Sequence, residues 1–122
     1  MIHLLDRLLG ALGALAGAAG IVLLAAGAHV DAAGNLTTAG WMALAHAGVI
    51  LFLAGTTALR PALRRLGALG LLAGVVLFSG DLAARSHFGQ PLFPMAAPTG
   101  GSVLIGSWLL LVFACLAGAR RT

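Results

Sequence analysis

The chain has 122 residues, of which 61% are hydrophobic and only 8% are charged. Its mean hydropathy is +1.07. A water-soluble domain carries about 25% charged residues, and a fold of this size could not hide so much apolar surface from water. The composition therefore excludes an ordinary soluble domain. It predicts an all-α protein embedded in a lipid bilayer, where helices pair the backbone polar groups internally.

The net charge and the cysteine content exclude further classes of protein. The net charge is +4, but every basic residue is an arginine, placed in short groups between apolar runs. This placement is typical of topology signals rather than of nucleic-acid binding, so we expect no nucleic-acid partner. The single cysteine, Cys115, excludes an internal disulfide bond and a multi-cysteine metal site.

Four segments are long and apolar enough to cross a bilayer, which takes about 20 residues. In chain order they are residues 8–28, 39–59, 66–84 and 101–119. Pro61 disfavours helix at the residue before it, so the second helix should end near Arg60. Since nothing remains for a soluble domain, we predict a single transmembrane domain over residues 1–122, folded as a four-helix bundle.

The arginines predict how the bundle is oriented. With four spans, six arginines fall on one side of the membrane and only Arg85 falls on the other. Arginine-rich termini and connections stay in the cytoplasm. We therefore expect a multi-pass protein of the inner (plasma) membrane with both termini in the cytoplasm. The six arginines are Arg7, Arg60, Arg64, Arg65, Arg120 and Arg121.

Five polar residues are predicted to approach the outer membrane face: His29, His46, Asp81, Arg85 and His87. Ionisable groups within a span are costly and are therefore candidates for a site. Asp81 and Arg85 are spaced i, i+4, which permits an ion pair, and His46 can bond a backbone carbonyl or a neighbouring serine. A metal site, haem ligation by His46, or a proton relay through His46 and Asp81 are alternatives. Because no local ligand spacing is present, no metal and no cofactor is predicted.

Two further features predict contacts. Small-xxx-small patterns let helices approach closely, within the protomer or against another subunit. They occur at Gly13, Gly17, Gly70 and Gly74. The third connection, residues 85–100, contains an apolar segment that should cover the bundle, lie among lipid headgroups or press on another protein. Its apolar residues are Phe88, Leu92, Phe93 and Met95.

A set of short motifs occurs in a distinctive order on the four spans. They are Gly27-Ala28-His29, His46-Ala47, Leu77-Phe78-Ser79-Gly80, Pro98-Thr99-Gly100-Gly101 and Gly106-Ser107-Trp108. Over nearly the whole chain this order resembles the transmembrane protein 256-like family, also called the domain-of-unknown-function 423 family. The resemblance implies a small four-helix integral membrane protein with no established activity. The chain departs from the family pattern at Asp81, where similar proteins carry a small hydroxyl residue, and it has no tyrosine.

The sequence shows no nucleophile–base pair, no phosphate loop and no paired carboxylates. We therefore expect no enzymatic activity. We interpret the chain as a structural or accessory subunit that contacts lipid and packs against other membrane proteins or against itself. The alternative is binding or transport of a small molecule, a metal ion or haem at the outer-face polar residues.

Overall fold

The computed structural model describes residues 3–30 and 33–119 and contains four α-helices. They are α1 (Leu4–Val30), α2 (Asn35–Gly55), α3 (Pro61–Phe88) and α4 (Ala96–Ala117). Each helix is long and apolar enough to cross a membrane, judged by length and composition. The predicted all-α, four-helix architecture is therefore confirmed. Arg120 and Arg121, which contributed to the predicted orientation, lie outside the described residues.

The corner between α2 and α3 lies earlier in the chain than the sequence predicts. The second span is predicted over residues 39–59, whereas α2 ends at Gly55. Thr56 is extended (φ −70°, ψ 139°), and its hydroxyl accepts a hydrogen bond from the N–H of Ala58 at 3.2 Å. Pro61 stands in the first turn of α3. Its missing N–H costs nothing there, because the first N–H groups of a helix have no partner within it.

The other three helices also differ from their predicted spans of 8–28, 66–84 and 101–119. α1 and α3 extend further at both ends, and α4 begins and ends earlier. Hydropathy ends a span at its first charged residues, but paired charges can remain helical: Asp6 of α1 binds Arg64 of α3. α4 begins after Met95, whose left-handed φ of 69° ends the preceding connection.

The helices form two antiparallel hairpins. α1 packs along α2, α3 packs along α4, and the hairpins meet mainly through α2 and α3. α1 contacts α3 far less, and an apolar groove of about 320 Å³ lies between them. The large apolar side chains that are almost fully buried come from α1, α2 and α3. They are Leu9, Ile50, Leu53 and Leu71, so the core lies where the two hairpins meet.

Glycines allow the two helices of the first hairpin to touch through their backbones. A Cβ atom built on Gly20 would lie 3.0 Å from the carbonyl oxygen of Gly40, and one built on Gly40 would lie 2.8 Å from the carbonyl oxygen of Gly20. The second separation is shorter than real Cβ atoms show, and the first is tighter than nine in ten real Cβ contacts. Small residues at such crossings let helices gain dispersion contacts without a hydrophobic driving force.

The second hairpin repeats this reciprocal contact. A Cβ atom on Gly74 would lie 3.0 Å from the Gly100 carbonyl oxygen, and one on Gly100 would lie 2.9 Å from the Gly74 carbonyl oxygen. The sequences agree: residues 12–24 (LGALAGAAGIVLL) and 66–78 (LGALGLLAGVVLF) are identical at eight of 13 positions. The chain is therefore an internal duplication of one helical hairpin, and α1 corresponds to α3 at a spacing of 54 residues.

The correspondence extends to α2 and α4, at a spacing of 60 residues. Gly20 approaches Leu44 of α2, and its counterpart Gly74 approaches Leu104 of α4. Gly13 approaches Leu51, and its counterpart Gly67 approaches Leu111. Among the predicted packing glycines, Gly13, Gly70 and Gly74 lie tightly against the neighbouring helix, whereas Gly17 makes an ordinary contact. Their neighbours are Ile50, Ser107, Leu104 and Ala47, respectively.

We predict that Gly100→Ala destabilises the second hairpin by about 1–3 kcal/mol, because the methyl group must displace backbone atoms of α3. A Cβ atom there would lie 2.6 Å from the Phe78 nitrogen. Gly106→Ala is the matched control on the same helix, since no atom lies within 4 Å of its Cβ position. Thermal unfolding in detergent should show a lower midpoint for Gly100→Ala only. Equal midpoints for the two variants would contradict the close crossing.

Candidate functional site

A buried ionic cluster joins α1 to α3. The carboxylate of Asp6, in the first turn of α1, is only 3% exposed. Arg64 donates to both of its oxygens, at 2.9 and 3.0 Å, and Arg65 does the same, both at 2.8 Å. Two guanidinium groups therefore clamp one carboxylate, each in the two-bond geometry that gives the strongest charge-assisted pairs.

Arg64 extends the cluster to α2. Its Nη1 also donates to the carbonyl oxygens of Leu53 and Ala54, at 2.8 and 3.2 Å. These carbonyls belong to the last turn of α2, where no helical N–H remains to bind them. The side chain of Arg64 thus joins its own helix, α3, to both α1 and α2.

A third arginine reaches the end of α4. Arg60, in the α2–α3 connection, donates from Nε to the carbonyl oxygen of Gly118 at 3.3 Å. The helix termini at Leu4, Gly55, Pro61 and Ala117 therefore share one end of the bundle, which we call the basic end. A cavity of about 440 Å³ opens there beside Thr56, Thr57 and Arg60.

His46 is buried, and both of its ring nitrogens are used within the bundle. Nδ1 lies 2.7 Å from the carbonyl oxygen of Met42, one turn earlier in α2. Nε2 accepts a hydrogen bond from the indole N–H of Trp108 on α4, at 3.2 Å. This pattern fits the tautomer with its proton on Nδ1. Since α2 begins at Asn35, His46 lies about 16 Å along the helix at 1.5 Å per residue.

Asp81 is fully buried and binds the segment that follows its own helix. Oδ2 accepts a hydrogen bond from Nε of Arg85 at 2.9 Å, which is the i, i+4 ion pair that the spacing predicts. Oδ1 accepts the backbone N–H of Leu92 at 2.8 Å. The carboxylate therefore fixes the middle of the α3–α4 connection against the last turns of α3. Nearby, the Ser79 hydroxyl donates to the Ala39 carbonyl at 2.8 Å and links α3 to α2.

The five polar residues predicted at the outer face do not form one group. His46 pairs with Trp108, Asp81 pairs with Arg85, and His29 is exposed in the last turn of α1. His87 is exposed and packs edge-on against Phe88, with ring centroids 4.6 Å apart. Within residues 3–30 and 33–119, no three His, Cys, Asp or Glu side chains lie close enough to hold a metal ion.

The apolar residues of the third connection remain accessible. The connection spans residues 89–95, because α3 extends to Phe88 and α4 begins at Ala96. Leu92 contacts Gly80 of α3, yet between 44 and 74% of each apolar side chain is exposed. These side chains are Phe88, which is the last residue of α3, and Leu92, Phe93 and Met95 of the connection. The segment is thus anchored through Asp81 and presents its apolar side chains outward.

These contacts account for the polar side chains of the bundle. No buried side-chain nitrogen or oxygen in the described part of the chain is without a hydrogen-bond partner. The buried polar side chains thus serve as hydrogen-bonded links within and between the helices.

A family model described as "Protein of unknown function (DUF423)" matches residues 9–101. The chain belongs to the DUF423 family. No curated protein and no solved structure matches the chain significantly. The matched residues include both hairpin crossings, His46, Asp81 and both arginines of the ionic cluster, whereas Asp6 lies just before them. The DUF423 family thus agrees with the resemblance seen in the motifs and with four apolar helices, and it assigns no activity.

Sequence reasoning missed the ionic cluster of this DUF423 chain. The sequence pattern presents Arg64 and Arg65 only as topology signals, and it predicts a first span that begins at residue 8, after Asp6. A signal was present: Asp6 is an acidic residue within a strongly basic end, next to an apolar run. Such a lone charge needs a partner, and the partner lies 58 residues away in the chain.

Removing the Asp6 carboxylate should destabilise the bundle by about 3–5 kcal/mol, because a buried guanidinium loses its counter-charge. We therefore expect Asp6→Ala to lower the thermal midpoint in detergent strongly. Arg65→Ala should cost less, since its side chain is 22% exposed and the Arg64 pair remains. Arg7→Ala, at an exposed neighbouring position, is the control. A melting curve for Asp6→Ala that matches the Arg7→Ala curve would show that the cluster is not structural.

His46 and Trp108 should behave as a coupled pair. Trp108→Phe removes the indole N–H and leaves a buried acceptor without its donor, at a cost of about 1–3 kcal/mol. If the contact is the reason for both residues, the losses from Trp108→Phe and His46→Ala should be non-additive in a double-mutant cycle. Strictly additive losses in thermal unfolding would contradict this assignment.

Proposed function

We propose that the chain is a non-enzymatic structural or accessory membrane protein that packs against other membrane proteins. The observation that carries this proposal is a contrast between the interior and the exterior of the molecule. The polar side chains of the interior bind one another or the backbone, whereas the exterior is apolar. Asp6, Asp81 and His46 each use two atoms in contacts within the chain. The exposed surface is rich in large apolar side chains such as Leu116, at 84% exposure.

Insertion in a bilayer follows from the same contrast. Lipid solvates apolar side chains, but it offers no partner to polar ones. A bundle with this exterior would aggregate in water, since exposed apolar patches of such extent are rare on soluble monomers. We infer four membrane crossings, with the connections at the two ends of the bundle in the aqueous phases.

The inferred orientation places the basic end in the cytoplasm. Arg7, Arg60, Arg64 and Arg65 all belong to helix termini at this end, and cytoplasmic ends of membrane proteins carry the excess of arginine. The inner (plasma) membrane is the proposed location, with both termini cytoplasmic. The α3–α4 connection then faces outward.

In the proposed accessory role, the α3–α4 connection is a contact surface for another protein. Asp81 holds this segment in place while Phe88, Phe93 and Met95 remain exposed. Aromatic and methionine side chains are enriched in protein interfaces relative to the rest of the surface, so their exposure on an anchored segment suits this segment to protein contacts. Ligand binding at His46, the alternative, would first have to break the Trp108 and Met42 contacts.

The accessory role is tested by extracting the protein from its membrane with a mild detergent and measuring the intact complexes by mass spectrometry. We expect the chain in stoichiometric assemblies with another membrane protein or with itself. Phe93→Ser should leave the thermal midpoint unchanged and shift the assembly towards free chain, if this connection is part of the contact. A strictly monomeric chain without any co-purifying protein would refute the accessory role.

A further inference from the structure

The internal duplication leaves two helix faces unused. Within the chain, α2 of the first hairpin packs on α3 of the second. By the duplication, α2 corresponds to α4 and α3 corresponds to α1. The face of α4 that corresponds to the contact surface of α2 is therefore available, as is the face of α1 that corresponds to the contact surface of α3. Contacts between different faces of a repeated unit propagate until they close a ring or end at capped units.

Burial differs sharply between corresponding positions. Leu53 of α2 is 2% exposed, while its counterpart Phe113 of α4 is 60% exposed. Val75 of α3 is 4% exposed, while its counterpart Ile21 of α1 is 60% exposed. The same holds for smaller residues: Ala39 and Ala68 are fully buried, and their counterparts Thr99 and Ala14 are exposed.

The chain cannot cover these two faces by itself. In the part of the chain that the structure describes, α1 and α4 make no backbone contact with each other. If a two-fold rotation related the two hairpins, the contact of α2 with α3 would be repeated as a contact of α4 with α1 in the same chain. Because it is not, a protein neighbour for these two faces can come only from another molecule, and lipid covers them where no such neighbour is bound.

We propose that a second copy of this chain supplies it, with its α1 packed on α4 of the first copy as α3 packs on α2. This inference rests on the proposed membrane role and names the partner. Each hairpin crosses the membrane twice, so both hairpins and both copies share one orientation, related by rotation about the membrane normal. Ala14, Ala18 and Ala25 on the free face of α1 permit close approach, which is what drives helix association in lipid.

Cysteine cross-linking between two differently tagged copies tests this contact. Both copies carry Cys115→Ala, which removes the exposed native cysteine. One copy carries Thr99→Cys and the other carries Ala25→Cys. The counterparts of these residues, Ala39 and Ser79, touch through the 2.8 Å hydrogen bond between α2 and α3. We expect oxidation in native membranes to produce a mixed-tag product at twice the chain mass.

The control pair is Val112→Cys with Leu12→Cys. Val112 lies 13 residues after Thr99 in α4, and Leu12 lies 13 residues before Ala25 in the antiparallel α1. The two control positions therefore lie at corresponding heights, but each is turned by about 220° around its helix. Their counterparts, Phe52 and Leu66, are 59 and 57% exposed, so no contact is expected. Cross-linking of the control pair to the same extent would mean random collision and would overturn the proposal.

The remaining outcomes separate this inference from the accessory role. A product that forms only between two Thr99→Cys copies, or only between two Ala25→Cys copies, indicates a two-fold symmetric contact and overturns the head-to-tail arrangement. Absence of any product, with a different membrane protein present in the intact complexes, refutes the second copy as partner and leaves the accessory role standing. Absence of a product together with a strictly monomeric mass refutes both.

Discussion

The carboxylate of Asp6 is the point through which the two hairpins are held at the basic end. It lies in the first turn of α1, and both of its oxygens bind Arg64 and Arg65 of α3. Arg64 continues to the last carbonyls of α2. A buried charge is costly unless it is paired, so the contacts of Asp6 with Arg64 and Arg65 hold the first turn of α1 against the start of α3. The ionic cluster therefore ties the two hairpins together at the basic end.

Away from this cluster, the bundle depends on shape rather than on polarity. Helices in lipid gain nothing from hiding apolar side chains, so close packing must supply the association energy. The paired glycines of each hairpin do this, because their backbones approach to distances that a Cβ atom would forbid. The same unit occurs twice, and this explains why α1 and α3 share the sequence pattern of residues 12–24. It also explains why a surface that is buried on α2 is open on α4.

The sequence predicted the number and order of the helices, because apolar runs of about 20 residues have few other uses. It located the ends poorly: hydropathy does not distinguish a charged residue that ends a helix from one, such as Arg64, that is paired inside it. The i, i+4 pair of Asp81 and Arg85 was predictable, since both partners lie on one helix. The Asp6 cluster and the contact of His46 with Trp108 join residues about 60 positions apart. No local spacing in the sequence indicates such contacts. The repeated pattern of residues 12–24 and 66–78 is visible in the sequence. Because alanine and glycine are abundant throughout the chain, the sequence alone does not show which residues of the two hairpins correspond.

The proposed membrane orientation requires that lipid, rather than water, surrounds the helices, with the basic end inside the cell. Labelling of single cysteines with a membrane-impermeant maleimide tests this directly, in a chain that carries Cys115→Ala. We choose three positions that are all exposed on the isolated chain. They are Thr57 at the basic end, Phe93 in the α3–α4 connection and Val112 on the outer face of α4. We predict labelling of Phe93→Cys in intact cells, of Thr57→Cys only after the membrane is permeabilised, and of Val112→Cys in neither case. Labelling of Val112→Cys by the water-soluble reagent, or an exchange of the other two results, would contradict the account.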